Sequence, residues 1–89
     1  MKWRDIRKAY NKLQIDLKPG KHLRGWFEFD GRKQWRVQMS HKRGEVPGKV
    51  PSKISTQLNL SMAELRQLID CTIDYDEYVR LMRARGFLT

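Results

Sequence analysis

Apolar residues recur at Trp3, Ile6, Tyr10 and Leu13, the three-and-four spacing that aligns side chains on one face of an α-helix. Arg4, Arg7, Lys8 and Lys12 fall off that stripe, so residues 2–13 are predicted as a basic amphipathic helix. IDLKPG, residues 15–20, then offers a short strand that Pro19-Gly20 breaks. Over residues 24–40 the period changes to two, with Phe27 and Phe29 alternating in one arm and Trp35, Val37 and Met39 in the other, around Asp30-Gly31. This reads as a β-hairpin. A two-residue Asp-Gly loop would pair Phe27 with Gln34 and Phe29 with Arg32, mixing apolar and polar partners, and is disfavoured. A three-residue loop, residues 30–32, pairs Phe27 with Trp35 and sets Trp26 against Arg36 on the opposite face. A five-residue loop keeps the same parity and pairs Glu28 with Arg36; the three-residue loop is preferred. In either case the apolar face packs against the first helix.

Residues 40–50, SHKRGEVPGKV, form a basic loop with two glycines. Pro51 then suits the first turn of a short helix through Leu58, with Ile54 and Leu58 inward and Asn59 at its end. Ser61 and Glu64 have the spacing of a capping box opening a helix that bears Met62, Leu65, Leu68 and Ile69. Asp74 and Glu77 resemble a second N-terminal cap, followed by the stripe Tyr75, Tyr78, Val79 and Met82. Arg83 and Arg85 before Gly86 fit a helix C-terminus. The order is one helix, two or three strands and three helices: an α+β domain with a helical tail.

Charge changes this picture by its distribution. The chain of 89 residues carries a net charge of +9; residues 1–53 hold 15 basic and 5 acidic residues, whereas residues 54–89 hold 4 and 5. A cationic front half favours polyanionic partners, because each phosphate neutralised by Lys or Arg releases a condensed counterion. Nucleic acid is the first such partner and an acidic protein the second. A chain this short hides only roughly 60% of its unfolded surface, enough for one modest core. Cys71 is the single cysteine, which leaves no internal disulfide or cysteine-based metal site and fits a reducing cytosol. The basic amino terminus lacks a signal peptide's apolar stretch, and the longest uncharged run, residues 54–63, is far below the roughly 18 apolar residues of a membrane span. A soluble cytoplasmic protein is expected.

The two histidines occupy matching places: His22 just before the first hairpin strand and His41 just after the second. Both rings are expected at one open end of the sheet, together with Lys18, Lys21, Arg24, Lys42 and Arg43. No His-x-x-His, carboxylate pair, GxSxG or phosphate-binding P-loop accompanies them, so neither metal nor cofactor is expected. Imidazole among cations supplies what RNA cleavage by internal attack needs: a base for the 2′-hydroxyl proton and positive charge for the phosphorane. A histidine in a basic loop is more often a phosphate contact, however. Trp26 and Arg36 suit stacking on unpaired bases, and Arg4, Lys8 and Lys12 suit a phosphate backbone, unless a neighbouring helix covers the former and water alone solvates the latter.

The segment Gly20-Lys21-His22, the strand WFEF after it, the second strand with Trp35, Val37 and Met39, and the run from Glu45 through Pro47 to Ile54 and Leu58 together resemble the HicA family of toxins in toxin-antitoxin pairs. The resemblance covers about residues 2–60. It implies a dsRBD-like fold (the double-stranded-RNA-binding domain), mRNA interferase activity through the histidine of a Gly-Ser-His motif, and neutralisation by a HicB antitoxin. Carried over by motif, His22 is the catalytic residue, and His41 inherits nothing from the family; the charge pattern, not the resemblance, makes Lys21, Arg24, Arg36, His41, Lys42, Arg43, Arg4 and Lys8 the expected RNA-binding residues. Lys21 replaces the family's serine, Ser40-His41 stands where valine-proline usually ends the last strand, and residues 61–89 form a helical C-terminal extension to the 1–60 core. Two other classes stand beside this reading: a non-catalytic RNA- or DNA-binding module on the same fold, and a basic adaptor docking an acidic protein.

Overall fold

The apolar stripe of the amino terminus forms α1, Trp3–Lys12, in a computed structural model that describes residues 1–88. The Asp5 carboxylate accepts from the Lys2 backbone N–H at 2.8 Å, placing negative charge at the helix N-terminus, where the macrodipole favours it. Trp3, Ile6, Ala9, Tyr10 and Leu13 are buried. Gln14 reverses the chain at φ 58°, and Ile15 then donates back to the Tyr10 carbonyl at 3.0 Å.

The hairpin consists of β1, Leu23–Phe29, and β2, Arg32–Met39, paired antiparallel. Its body has the register expected from parity: Phe27 faces Trp35 and Trp26 faces Arg36. The loop differs. Phe29 pairs with Arg32 across a two-residue Asp30-Gly31 turn, with a bulge between Phe27 and Glu28 and their partners. Both turn residues have positive φ, 56° and 74°, as the tight turn that matches strand twist requires. Gln34 is the extra residue that restores alternation beyond the turn, and its side chain donates to the Phe29 carbonyl at 3.3 Å.

The strand anticipated within residues 15–20 does not form. Lys18 makes a single antiparallel bridge to Arg24, with backbone hydrogen bonds of 2.7 and 3.1 Å. On one side Pro19 cannot donate to a ladder. On the other, residues 15 and 16 climb over Gly25 instead of continuing alongside β1. The sheet of the described residues is therefore two-stranded.

Three helices follow: α2, Val50–Gln57, α3, Met62–Ile69, and α4, Tyr75–Ala84. Pro51 lies in the first turn of α2, and Asn59 turns the chain at φ 59°. The α3 capping box is complete: Glu64 N–H donates to Ser61 Oγ at 3.1 Å and Ser61 N–H to Glu64 Oε1 at 2.8 Å. Asp74 Oδ1 caps α4 by accepting from Glu77 N–H at 2.9 Å. Gly86, at φ 80°, follows its C-terminus.

The described residues form an α+β domain of four helices and one antiparallel hairpin. Its core lies on the Phe27 face of the hairpin. Tyr10 of α1 donates from its hydroxyl to the Gln38 carbonyl at 3.1 Å. Tyr78 of α4 packs edge-on against Phe27 with ring centres 5.0 Å apart. Its buried hydroxyl donates to the Leu58 carbonyl at 2.6 Å and accepts from Trp35 Nε1 at 3.2 Å. Burial pushes both phenols upward in pKa, because the phenolate would lose its hydration there. α3 meets α1 through Lys12, whose ammonium donates to the Leu68 and Ile69 carbonyls at 2.5 and 3.0 Å. Residues 61–88 thus supply Leu65, Leu68, Tyr78 and Met82 to the same hydrophobic cluster as Ile6, Tyr10 and Phe27. No helix among the described residues is long and apolar enough to cross a membrane.

Candidate nucleic-acid interface

β1 begins at Leu23 and β2 ends at Met39, so the two histidines flank one end of the hairpin. The ring of His41 is tied there, with Nε2 donating to the Gly20 carbonyl at 2.8 Å. This contact fixes the tautomer that carries its proton on Nε2. Beyond it, Lys42 N–H donates to Ser40 Oγ at 3.1 Å, and Gly44 bends the loop at φ 89°.

The amino terminus straps the loop in place. Trp3 N–H donates to the Gly44 carbonyl and Val46 N–H to the Met1 carbonyl, both at 3.0 Å. These bonds draw Lys42 and Arg43 beside the first turns of α1, where Arg4 and Arg7 project. The result is a groove of about 590 Å³ lined by Lys2, Arg4, Arg7, His41, Lys42 and Arg43 above Trp3 and Met39. His22 lies in an adjoining groove of about 300 Å³ with Lys42, Lys53, Gln38 and Gln57. Trp3, Met39 and Lys42 belong to both grooves, making them two lobes of one cationic surface.

No carboxylate lines either lobe. The nearest along the chain are engaged elsewhere: Asp5 caps α1, and Glu45 lies 3.4 Å from the α-amino group. Positive charges on both sides of a shallow groove reinforce one another at the point where a polyanion would lie. His22 is exposed, so its ring is accessible to a ligand in the groove.

The anticipated site residues are distributed over three places. His22 and Lys42 share one lobe; Arg4, His41, Lys42 and Arg43 share the other. Arg24 and Arg36 are on the open face of the hairpin, away from the core and beside Trp26. Lys21 is exposed in the Gly20–His22 turn and lines neither lobe, and Lys8 is exposed on α1, also outside both; Lys12, expected on the same phosphate stripe, turns to the Leu68 and Ile69 carbonyls instead. Lys18, expected at the histidine end, pairs with Asp16 at 2.7 Å. The five cations anticipated around the histidines therefore do not form one cluster. β1 carries Arg24 onto the open face, while the loop carries Lys42 and Arg43 toward α1.

Lys2, Arg7, Lys53 and Gln57 belong to the grooves without having been anticipated there. Arg7 had a signal, since it lies three residues from Arg4 and so shares its helix face. Lys53 and Gln57 had none: their place depends on how α2 docks beside β2, where Gln57 Oε1 accepts from Gln38 N–H at 3.4 Å. Among the described residues no three His, Cys, Asp or Glu side chains converge in a metal-ligating group. Compared with known proteins, the chain matches no family model, no curated protein and no solved structure.

Proposed function

We propose that this chain is an RNA-binding endoribonuclease of toxin type that cleaves RNA with His22. One observation carries the reading: an exposed imidazole sits in a groove with Lys42 and Lys53, continuous with a second lobe of five Lys and Arg residues, and no carboxylate lines either lobe. His41 is tied to the Gly20 carbonyl, so among the described residues His22 is the imidazole left free to exchange protons with a ligand. In this mechanism His22 takes the proton of a ribose 2′-hydroxyl, and the resulting oxygen attacks the adjacent phosphorus. Lys42 and Lys53 stabilise the charge that builds on the phosphorane. The 5′-oxygen leaves and takes a proton from water, giving a 2′,3′-cyclic phosphate and a 5′-hydroxyl end. The resemblance of residues 2–60 to the HicA toxins supports the same role for His22, and with it a HicB-type antitoxin as protein partner and the cytoplasm as the place of action.

The test is cleavage of a single-stranded RNA by the parent chain, His22→Ala and His41→Ala. His22→Ala is expected to lose about 100-fold or more in rate, the usual scale of a general acid-base contribution, while retaining RNA affinity. A His22→Ala protein that cleaves as fast as the parent overturns the catalytic assignment. Because one free imidazole serves base and acid less completely than two, a non-catalytic RNA- or DNA-binding module is the second reading. It predicts salt-sensitive binding without cleavage by the parent chain.

A further inference from the structure

The hairpin has a second face, on which Arg24, Trp26 and Arg36 stay exposed among the described residues. α1 and α4 pack on the Phe27 side through Tyr10 and Tyr78, whereas Trp26 on the opposite side remains 39% exposed. Tryptophan is highly buried on average, although rarely completely so. Its surroundings are cationic: Arg36 lies directly across the ladder, Arg24 two residues along the same strand, and Lys33 Nζ stands 5.6 Å from the centre of the indole ring. The carboxylates on this side are Asp16, paired with Lys18 at 2.7 Å, and Glu28.

The face continues to the proposed cleavage site. Gln38, the cross-strand partner of Arg24, also lines the His22 groove, and four strand residues from position 22 to 26 span roughly 13 Å. An exposed indole ringed by Arg and Lys is the arrangement that holds unpaired nucleic acid, where a base stacks on the ring and the cations take the flanking phosphates. A duplex offers no such partner, because its bases are already stacked inside the helix.

We propose that the open face of the hairpin is a track for single-stranded RNA, with one unpaired base stacked on Trp26 and the flanking phosphates held by Arg24, Lys33 and Arg36. It rests on the reading of the His22 groove as the cleavage site, and it makes the substrate of that site unpaired RNA. Lys33, exposed and flexible, moves from the ring to a phosphate when the base enters.

The test measures fluorescence anisotropy of a labelled 2′-O-methyl oligonucleotide, which lacks the attacking hydroxyl and so reports binding alone. Trp26→Ala is expected to weaken binding of the single strand about tenfold, within the range of one lost base stack. Trp26→Phe should retain part of the affinity but lose most of the oligonucleotide's quenching of indole emission, since Trp3 and Trp35 are largely buried. Binding of the matching duplex should be unchanged by either variant. Trp26 is exposed, so both variants should keep the parent's circular dichroism spectrum and thermal midpoint.

Single-strand affinity unchanged in Trp26→Ala, or a duplex bound as tightly as the single strand, overturns the track. Polyglutamate that displaces the oligonucleotide at equal charge concentration indicates an acidic protein as the occupant and also overturns it. If either result appears while His22-dependent cleavage persists, only the track falls; if the parent chain binds no RNA at all, the track and the cleavage reading fall together.

Discussion

Gly25 shows how one residue type fixes a local path. Where the chain crosses from α1 into the hairpin, a Cβ at position 25 would stand 2.6 Å from Ile15 Cγ2 and 2.8 Å from the Asp16 carbonyl oxygen. The second contact is with backbone, which cannot rotate away. Gly25→Ala should therefore destabilise the fold by about 2 kcal/mol, a typical cost of overpacking, read as a lower denaturant midpoint with an unchanged slope. Gly48→Ala is the control, because nothing lies within 4 Å of a Cβ there; its midpoint should match the parent's. At the same scale the two histidines, similar in sequence context, acquire different roles. His41 is tied by a backbone carbonyl 2.8 Å away, while His22 faces a groove, and nothing in the local sequence distinguishes them.

At the scale of elements, the helix boundaries were legible because caps are local. Ser61 with Glu64 and Asp74 with Glu77 open α3 and α4 as their spacing predicts. Glu64 also has a long-range partner, the Arg85 guanidinium at the end of α4. The hydrogen bond from Arg85 is the main reason its carboxyl lies below the usual carboxylate range. A depressed folded-state pKa contributes stability above the unfolded value and loses it as pH falls. Glu64→Gln should consequently be less stable than the parent at pH 7, by about 1 kcal/mol, and the gap should close on titration below about pH 4. A gap that is constant from pH 7 to 3 would show that the carboxylate charge contributes nothing. The hairpin was legible in its body and not at its turn. Parity fixed the pairing of Phe27 with Trp35, but parity cannot distinguish a three-residue loop from a two-residue turn with a bulge, since both shift one arm by one residue.

Across the whole molecule, the asymmetry of charge becomes an asymmetry of surface. The nearly neutral C-terminal segment supplies Leu65, Leu68, Tyr78 and Met82 to the core, while cations of residues 1–53 line the grooves at the histidine end and flank Trp26 on the open hairpin face. Lys2, Arg4, Arg7, Lys42 and Arg43 line the larger groove. If each neutralises one phosphate of a single strand, this groove alone should contribute roughly −3.5 to the slope of log K against log salt. Arg43→Ala should reduce that slope by roughly 0.7, measured by titrating the oligonucleotide at several salt concentrations. A slope near zero would remove polyanion binding by this groove.

The sequence by itself determined the amphipathic helix, the caps of α3 and α4, the strand alternation and the cationic character of the front half, because each depends on neighbours within a few residues or on composition alone. Tertiary structure decided the remainder. Residues 15–16 cross above Gly25 and so cannot extend the sheet. The amino terminus straps the basic loop against α1, and α2 brings Lys53 to the groove that His22 lines. α4 packs on the Phe27 face and leaves Trp26 open. Each of these depends on contacts between segments distant in the chain, whose free energy is set by packing and hydrogen bonding that no local pattern encodes.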